Sequence, residues 1–271
     1  MNMSRAFNFA WLSVFMLWLT ACASPSQRFD TVATELQFSS QQIDGAGFVH
    51  RIFLNKAAQN NALGQVLHVY LDGDGTPWRN HFPTDDPTSR NPMILQMMAK
   101  DPAPAILLGR PCYHDLALAP ACDRRFWTSH RYAREVVDSM RSALQHWLAS
   151  HPYSTLVLIG FSGGGVLASL MAPDMLQVTG LLTIASNLDV QAWSEFHGYP
   201  ALPDSLNPMQ QARLPPHIKQ LHLAGSEDEN VPPAIIEAYS RKQLQAKYLQ
   251  QHQQHNCCWE TIWPEPLGLL D

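Results

Sequence analysis

Apolar residues in this chain fall into short unbroken runs, separated by stretches whose apolar positions recur at helical spacing. The runs "FVHRIFLN" (48–55), "VLHVYL" (66–71), "AILLG" (105–109), "TLVLIGF" (155–161), "GLLTIAS" (180–186) and "IKQLHLAG" (218–225) predict strands, and a last one is predicted within "QAKYLQQHQ". Helices are predicted over 91–100, 129–150, 163–172 and 233–243. In 129–150, Val136, Val137, Met140, Leu144, Trp147 and Leu148 share one face, and Ser129 is available as a cap. Continuous apolar strands alternating with helices predict an α/β protein with a mostly parallel sheet covered on both faces. The proline-rich segment 187–216 has no clean period and is expected to run over the top of the sheet as a small lid.

The first residues follow a different pattern. Arg5 precedes an apolar run from Phe7 to Leu19, which is shorter than the ~20 residues a spanning helix needs. It reads as an export signal over 1–21. "LTAC" then resembles a bacterial lipoprotein cleavage box, which implies that Cys22 is acylated and anchors the chain to a membrane in the cell envelope. Residues 22–40, beginning "CASPSQRFD", are expected to be a tether and first strand region, and 41–271 the folded domain.

Composition narrows the function. The chain has 271 residues, 46% of them apolar, enough for a substantial core, and its formal net charge of −5 gives no reason to expect nucleic acid. The one basic cluster, Arg124, Arg125, Arg131 and Arg134, is expected to be a solvated helix start. Apart from Cys22, an even set of cysteines remains. Cys112 and Cys122 close a short loop and are the preferred disulfide, leaving Cys257 and Cys258 as a neighbouring pair or as free thiols. No metal-ligand spacing stands out, so no cofactor is expected.

The chemistry concentrates in "TLVLIGFSGGGVLASLMA". A strand ends at Gly160-Phe161-Ser162-Gly163-Gly164 and a helix begins at once. A serine at such a turn sits in a strained conformation, so the positions two before and two after it must be very small. Its hydroxyl is then exposed at a helix N-terminus, where the Gly163 N–H can meet a developing negative charge. A serine needs a base and an orienting acid. "AGSEDENVPP" supplies Asp228, with Glu227 and Glu229 as neighbours, and "QHQQHNCCW" supplies His255, preferred over His252 because it lies in a loop. His222, inside a predicted strand, is expected in the core, and His197 on the lid. Trp78, Trp127, Trp193, Phe196 and Tyr199 are candidates to line an apolar pocket.

Serine, acid and histidine in that order along an alternating sheet resemble the α/β-hydrolase superfamily, and bacterial lipoproteins within it. The similarity rests on "LDGDGTPW", "GRPCY", "GFSGGG", "GSEDENVPP" and "HNCCW". It implies an α/β-hydrolase fold with a mostly parallel sheet of about eight strands. It also implies a Ser162–His255–Asp228 triad cleaving a small-molecule or lipid acyl ester. The oxyanion hole would be the N–H of Gly163 and one from the loop Asp72-Gly73-Asp74-Gly75, with Asp74 the best match and Gly73 beside it. Two other functions compete. "LDGDGT" also resembles the start of a haloacid-dehalogenase-type phosphatase, in which Asp72 and Asp74 hold Mg²⁺ while Ser162, Lys219 and Asp228 assist. A lipid-anchored envelope protein that keeps the fold without catalysis is the third.

Overall fold

The computed structural model describes residues 23–60 and 66–270. The expected signal segment and Cys22 therefore lie outside the described residues. Eight strands form one sheet: β1 (Ser39–Asp44), β2 (Val49–Leu54), β3 (Val66–Leu71), β4 (Ala105–Leu108), β5 (Thr155–Phe161), β6 (Val178–Ile184), β7 (Lys219–Gly225) and β8 (Lys247–Gln251). Their spatial order is β1-β2-β4-β3-β5-β6-β7-β8. The β1–β2 and β2–β4 pairs are antiparallel and the rest are parallel. The helices are α1 (Pro25–Glu35), α2 (Lys56–Gln59), α3 (Met93–Lys100), α4 (Arg134–Ser150), α5 (Gly163–Met171), α6 (Val190–His197) and α7 (Pro233–Lys242).

The two-residue period of the strands sorts the core into two layers. Leu67, Val69 and Leu71 of β3, with Leu156 and Leu158 of β5, pack against α4 and α5. Tyr70, Val157, Ile159 and Phe161 point the other way, onto α3, α1 and the late segment carrying Trp259 and Trp263. A smaller cluster joins α6 and α7 around Ala224 of β7.

Two expectations are corrected and one unmarked strand is added. Residues 25–35 are not tether: Ser24 caps α1 in a reciprocal capping box with Gln27, and Phe29 and Ala33 are buried in the core. β1 carries almost no apolar residues, so nothing in its pattern marks it; its pairing to β2 defines it. Helix α4 begins at Arg134 after Ala133, not at Ser129, because residues 124–127 form a separate 3₁₀ turn.

Candidate active site

The carboxyl ends of β3, β5, β6, β7 and β8 open at one end of the sheet, where ligand sites of such folds gather. A cleft of about 880 Å³ lies there, lined by residues 72–78, Ser162, Asn187, Trp193, Ser194, 199–202, Asn230 and His255. Ser162 occupies the turn from β5 to α5 with φ 49° and ψ −125°, a strained setting for a side chain with a Cβ. Its N–H donates to the Ile184 carbonyl at 2.8 Å, and its carbonyl accepts from the Gly165 N–H at 3.0 Å. The flanking glycines are required by space. A Cβ on Gly160 would collide with the backbone of Gly165, and one on Gly164 with the carbonyl of Leu71.

Around Ser162 the other two predicted residues converge. His255 Nε2 lies 3.1 Å from Ser162 Oγ, and its Nδ1 lies 2.9 Å from Asp228 Oδ2. The other carboxylate oxygen of Asp228 accepts the N–H groups of Asn230 (2.9 Å) and Val231 (2.7 Å), a turn that aims Oδ2 at the imidazole. With Nδ1 donating to that carboxylate, Nε2 is left to accept the serine hydroxyl. The acid and base loops are joined by backbone bonds from Ser226 to Gln251 and from Glu227 to Gln253. The Trp259 indole donates to the His255 carbonyl at 3.2 Å. His252 is exposed and pairs with Glu227 instead, while His222 is fully buried and bonded to Thr183.

The loop after β3 abuts the serine: a Cβ on Gly73 would sit 3.1 Å from Ser162 Cβ, and one on Gly163 would strike the Asp74 carboxylate. The Gly73 N–H is already spent on Asp72 Oδ1 at 2.8 Å. That corrects Gly73 as an oxyanion donor. Neither Gly163 nor Asp74 has its N–H bonded to a described residue, and both remain available.

Asp74 holds what the sequence did not show. Its carboxylate is gripped by Arg110, by Arg131 at 3.0 Å and by the Tyr132 hydroxyl at 2.6 Å, while the Tyr113 hydroxyl donates to its carbonyl at 2.9 Å. Burial alone would raise this carboxyl, but the two guanidinium groups and the Tyr132 bond outweigh it and hold it at about 2. Asp72 has no such partners, and burial lifts it to about 7, against the pull of the Gly73 N–H and Arg110. While Asp72 keeps its proton, below about pH 7, two guanidinium groups against one ionised carboxylate leave this corner net positive, which favours an oxyanion at the neighbouring N–H groups.

Arg131 is therefore not part of a solvated helix start; it is buried, unlike the exposed Arg124, Arg125 and Arg134. An arginine placed directly after the buried strand β4, in "GRPCY", was the one sequence hint that a carboxylate had to lie nearby. The phosphatase arrangement also fails on this geometry. Both oxygens of Asp74 face arginines where a divalent cation would have to sit, and Lys219 starts β7 at the end of the sheet away from Ser162.

Of the candidate aromatic residues, Trp78, Trp193 and Tyr199 line the cleft. Trp127 is buried in the core, and Phe196 is exposed outside the cleft. The segment 187–216 forms one wall, pinned where the Trp193 indole and His197 Nε2 meet the Asn230 carbonyl at 3.0 and 2.7 Å. Cys112 and Cys122 are joined, with Cα atoms 5.5 Å apart, and Cys257 is joined to Cys258.

Comparison with known proteins supports the hydrolase family and the fold. The profile of the serine hydrolase family FSH1 matches residues 117–257, just over half of the chain. No curated protein matches it. Among solved structures, an α/β serine hydrolase without lid from Xanthomonas campestris is similar, with a TM-score of 0.54 and 16% identity, over 86% of this chain and 91% of that one. An esterase from Pyrococcus furiosus gives 0.57 and 10% identity over 88% and 91%. An α/β fold family hydrolase from Bacillus anthracis gives 0.54 and 10% identity over 86% and 98%.

Proposed function

Since the chain belongs to the FSH1 serine hydrolase family, we propose that it cleaves acyl esters through a Ser162–His255–Asp228 triad and an acyl-enzyme. The observation that carries this is the continuous bonding from Ser162 Oγ through His255 to Asp228, at a serine held in a strained turn. In the first step Oγ bonds to the ester carbonyl carbon as its proton passes to His255 Nε2, and the carbonyl π electrons move to oxygen. The N–H groups of Gly163 and Asp74 hold that oxyanion, worth on the order of 10²–10³ in rate for each donor. Collapse breaks the bond to the leaving alkoxide, which takes the proton from His255. Water then gives its proton to His255 and its hydroxide to the acyl carbon, Oγ departs with the proton, and a carboxylic acid is released. Asp228 orients the imidazole and stabilises its charged form throughout.

The same proposal includes an exported protein anchored to a membrane by a lipid on Cys22. Its supports are the "LTAC" box after the apolar run and the joined cysteine pairs, which suit an oxidising compartment. The substrate is a small-molecule or lipid acyl ester, and the triad requires no cofactor. The experiment is labelling with a fluorophosphonate alongside turnover of a chromogenic acyl ester. The native protein should do both, and Ser162→Ala should do neither while keeping its circular dichroism spectrum. Undiminished labelling of Ser162→Ala refutes the assignment.

A further inference from the structure

Helix α1 fixes where an N-terminal anchor leaves the domain. The Ser26 N–H donates to Asp86 Oδ2 at 2.8 Å, Ser26 Oγ meets Thr88 Oγ1 at 2.9 Å, and the Asp115 N–H donates to Ser26 Oγ at 2.9 Å. Pro87 accepts the Thr76 N–H at 2.9 Å, and Thr76 lines the catalytic cleft. Asp115 follows the carboxyl end of β4. The other end of α1 lies far away. The Gln37 carbonyl is bonded by Gln59, which also bonds Leu54, and Leu54 pairs with Ile106 at the beginning of β4. The helix thus runs from the cleft end of the sheet to the opposite end. Ser24 already caps it, so only Ala23 separates the cap from Cys22. Two residues span at most about 7 Å.

Exposed aromatic side chains share this polarity. Among the described residues four are exposed, Trp78 (47%), Phe82 (73%), Phe196 (59%) and Tyr199 (53%). Trp78 and Phe82 stand on the small ribbon after β3, and Phe196 and Tyr199 in and after α6, which follows β6. All four therefore belong to the cleft end, and Trp78 and Tyr199 line the cleft itself. Of the exposed aliphatic residues, Leu118 lies in the loop after β4, while Val66, the first residue of β3, and Leu176, before β6, stand singly at the other end.

From these placements we propose that the mouth of the catalytic cleft faces the lipid bilayer, with the aromatic rim in the interface and the acyl substrate entering from the membrane side. The inference rests on Cys22 being acylated. Aromatic rings suit the headgroup region because they are apolar yet tolerate partial hydration. A short anchor beside the mouth removes most of the freedom to turn any other face to the lipid.

The test uses the full lipidated protein in vesicles of phosphatidylcholine and phosphatidylglycerol carrying brominated acyl chains. Bromine should quench tryptophan emission, and Trp78→Phe should remove most of that quenching. On the same vesicles, Phe82→Asp and Phe196→Asp should slow hydrolysis of an embedded long-chain ester by about tenfold or more, the effect of losing one buried phenyl group. Both should leave a water-soluble short-chain ester unaffected. Quenching unchanged by Trp78→Phe, or embedded-ester rates unchanged in both variants, overturns the orientation. Quenching needs no turnover, so it decides the orientation even if the native protein hydrolyses neither ester and the catalytic proposal fails. A Cys22 found without lipid overturns the inference at its premise.

Discussion

Replacing Asp74 with asparagine keeps the backbone N–H and the shape of the side chain and removes one negative charge. In the fold this carboxyl sits at about 2 against 3.8 for the free group. That difference corresponds to about 2.5 kcal/mol favouring the ionised, paired form. The variant also strands Arg110 and Arg131, both buried, without their shared counter-charge, and a buried pair broken from one side costs about 3–5 kcal/mol. We expect a loss of about 3 kcal/mol in urea unfolding followed by tryptophan fluorescence, equivalent to about 6–12 °C in a domain of this size. The depressed carboxyl contributes stability that is present above the free-group value and lost as pH falls through the folded one. The gap between native and variant should therefore close between roughly pH 4 and pH 2. Loosening of the loop should lower kcat on a short-chain ester by about tenfold, short of the full loss of an oxyanion donor, with KM changed less than twofold. A phosphatase would behave otherwise: removing one of two adjacent carboxylates would relieve repulsion, raise stability and abolish turnover. A variant within about 0.5 kcal/mol of the native protein and with unchanged kcat would refute the clamp.

Two further outcomes follow from packing and burial. Gly160→Ala should cost at least about 2 kcal/mol and slow fluorophosphonate labelling, because the new methyl would press on the Gly165 backbone; Gly268→Ala, with open space around it, should stay within about 0.5 kcal/mol in the same unfolding assay. Buried His50, His114 and His222 are pushed down by burial to about 4, 3 and 3, so the stability they contribute is complete above pH 6.5 and lost as pH falls toward 4. Each contributes a slope of up to about 1.4 kcal/mol per pH unit, and Asp72, raised to about 7, opposes one of them by gaining its proton in the fold over the same interval. Unfolding midpoints at pH 7, 6, 5 and 4 should fall steadily, and a flat profile would contradict the neutral burial of these imidazoles.

Much of this was legible because parallel strands are buried on both faces. The runs at 66–71, 155–161 and 218–225 are short, mostly apolar and bounded by glycine or proline, as buried strands are, and they lie almost residue for residue where expected. The serine turn was equally plain, since the glycines at 160 and 164 answer a steric demand made within a few residues. What stayed hidden depends on partners distant in the chain. Nothing local in "SSQQID" signals β1, whose pairing to β2 supplies its order. Arg131 looked solvated because its carboxylate is 57 positions away, and Asp74 looked like a loop residue for the same reason.

Residues 255–263 also tie the end of the chain to the middle of the sheet. Trp259 bonds the carbonyl of His255, and the Trp263 indole reaches the Tyr70 hydroxyl, 193 positions earlier on β3. Tyr70 in turn bonds Asp101, so this late segment is latched to the middle of the finished sheet. A chain without this segment in place would hold the nucleophile and acid of the proposed triad but no imidazole between them. On that proposal it would stay chemically silent until the last segment docks.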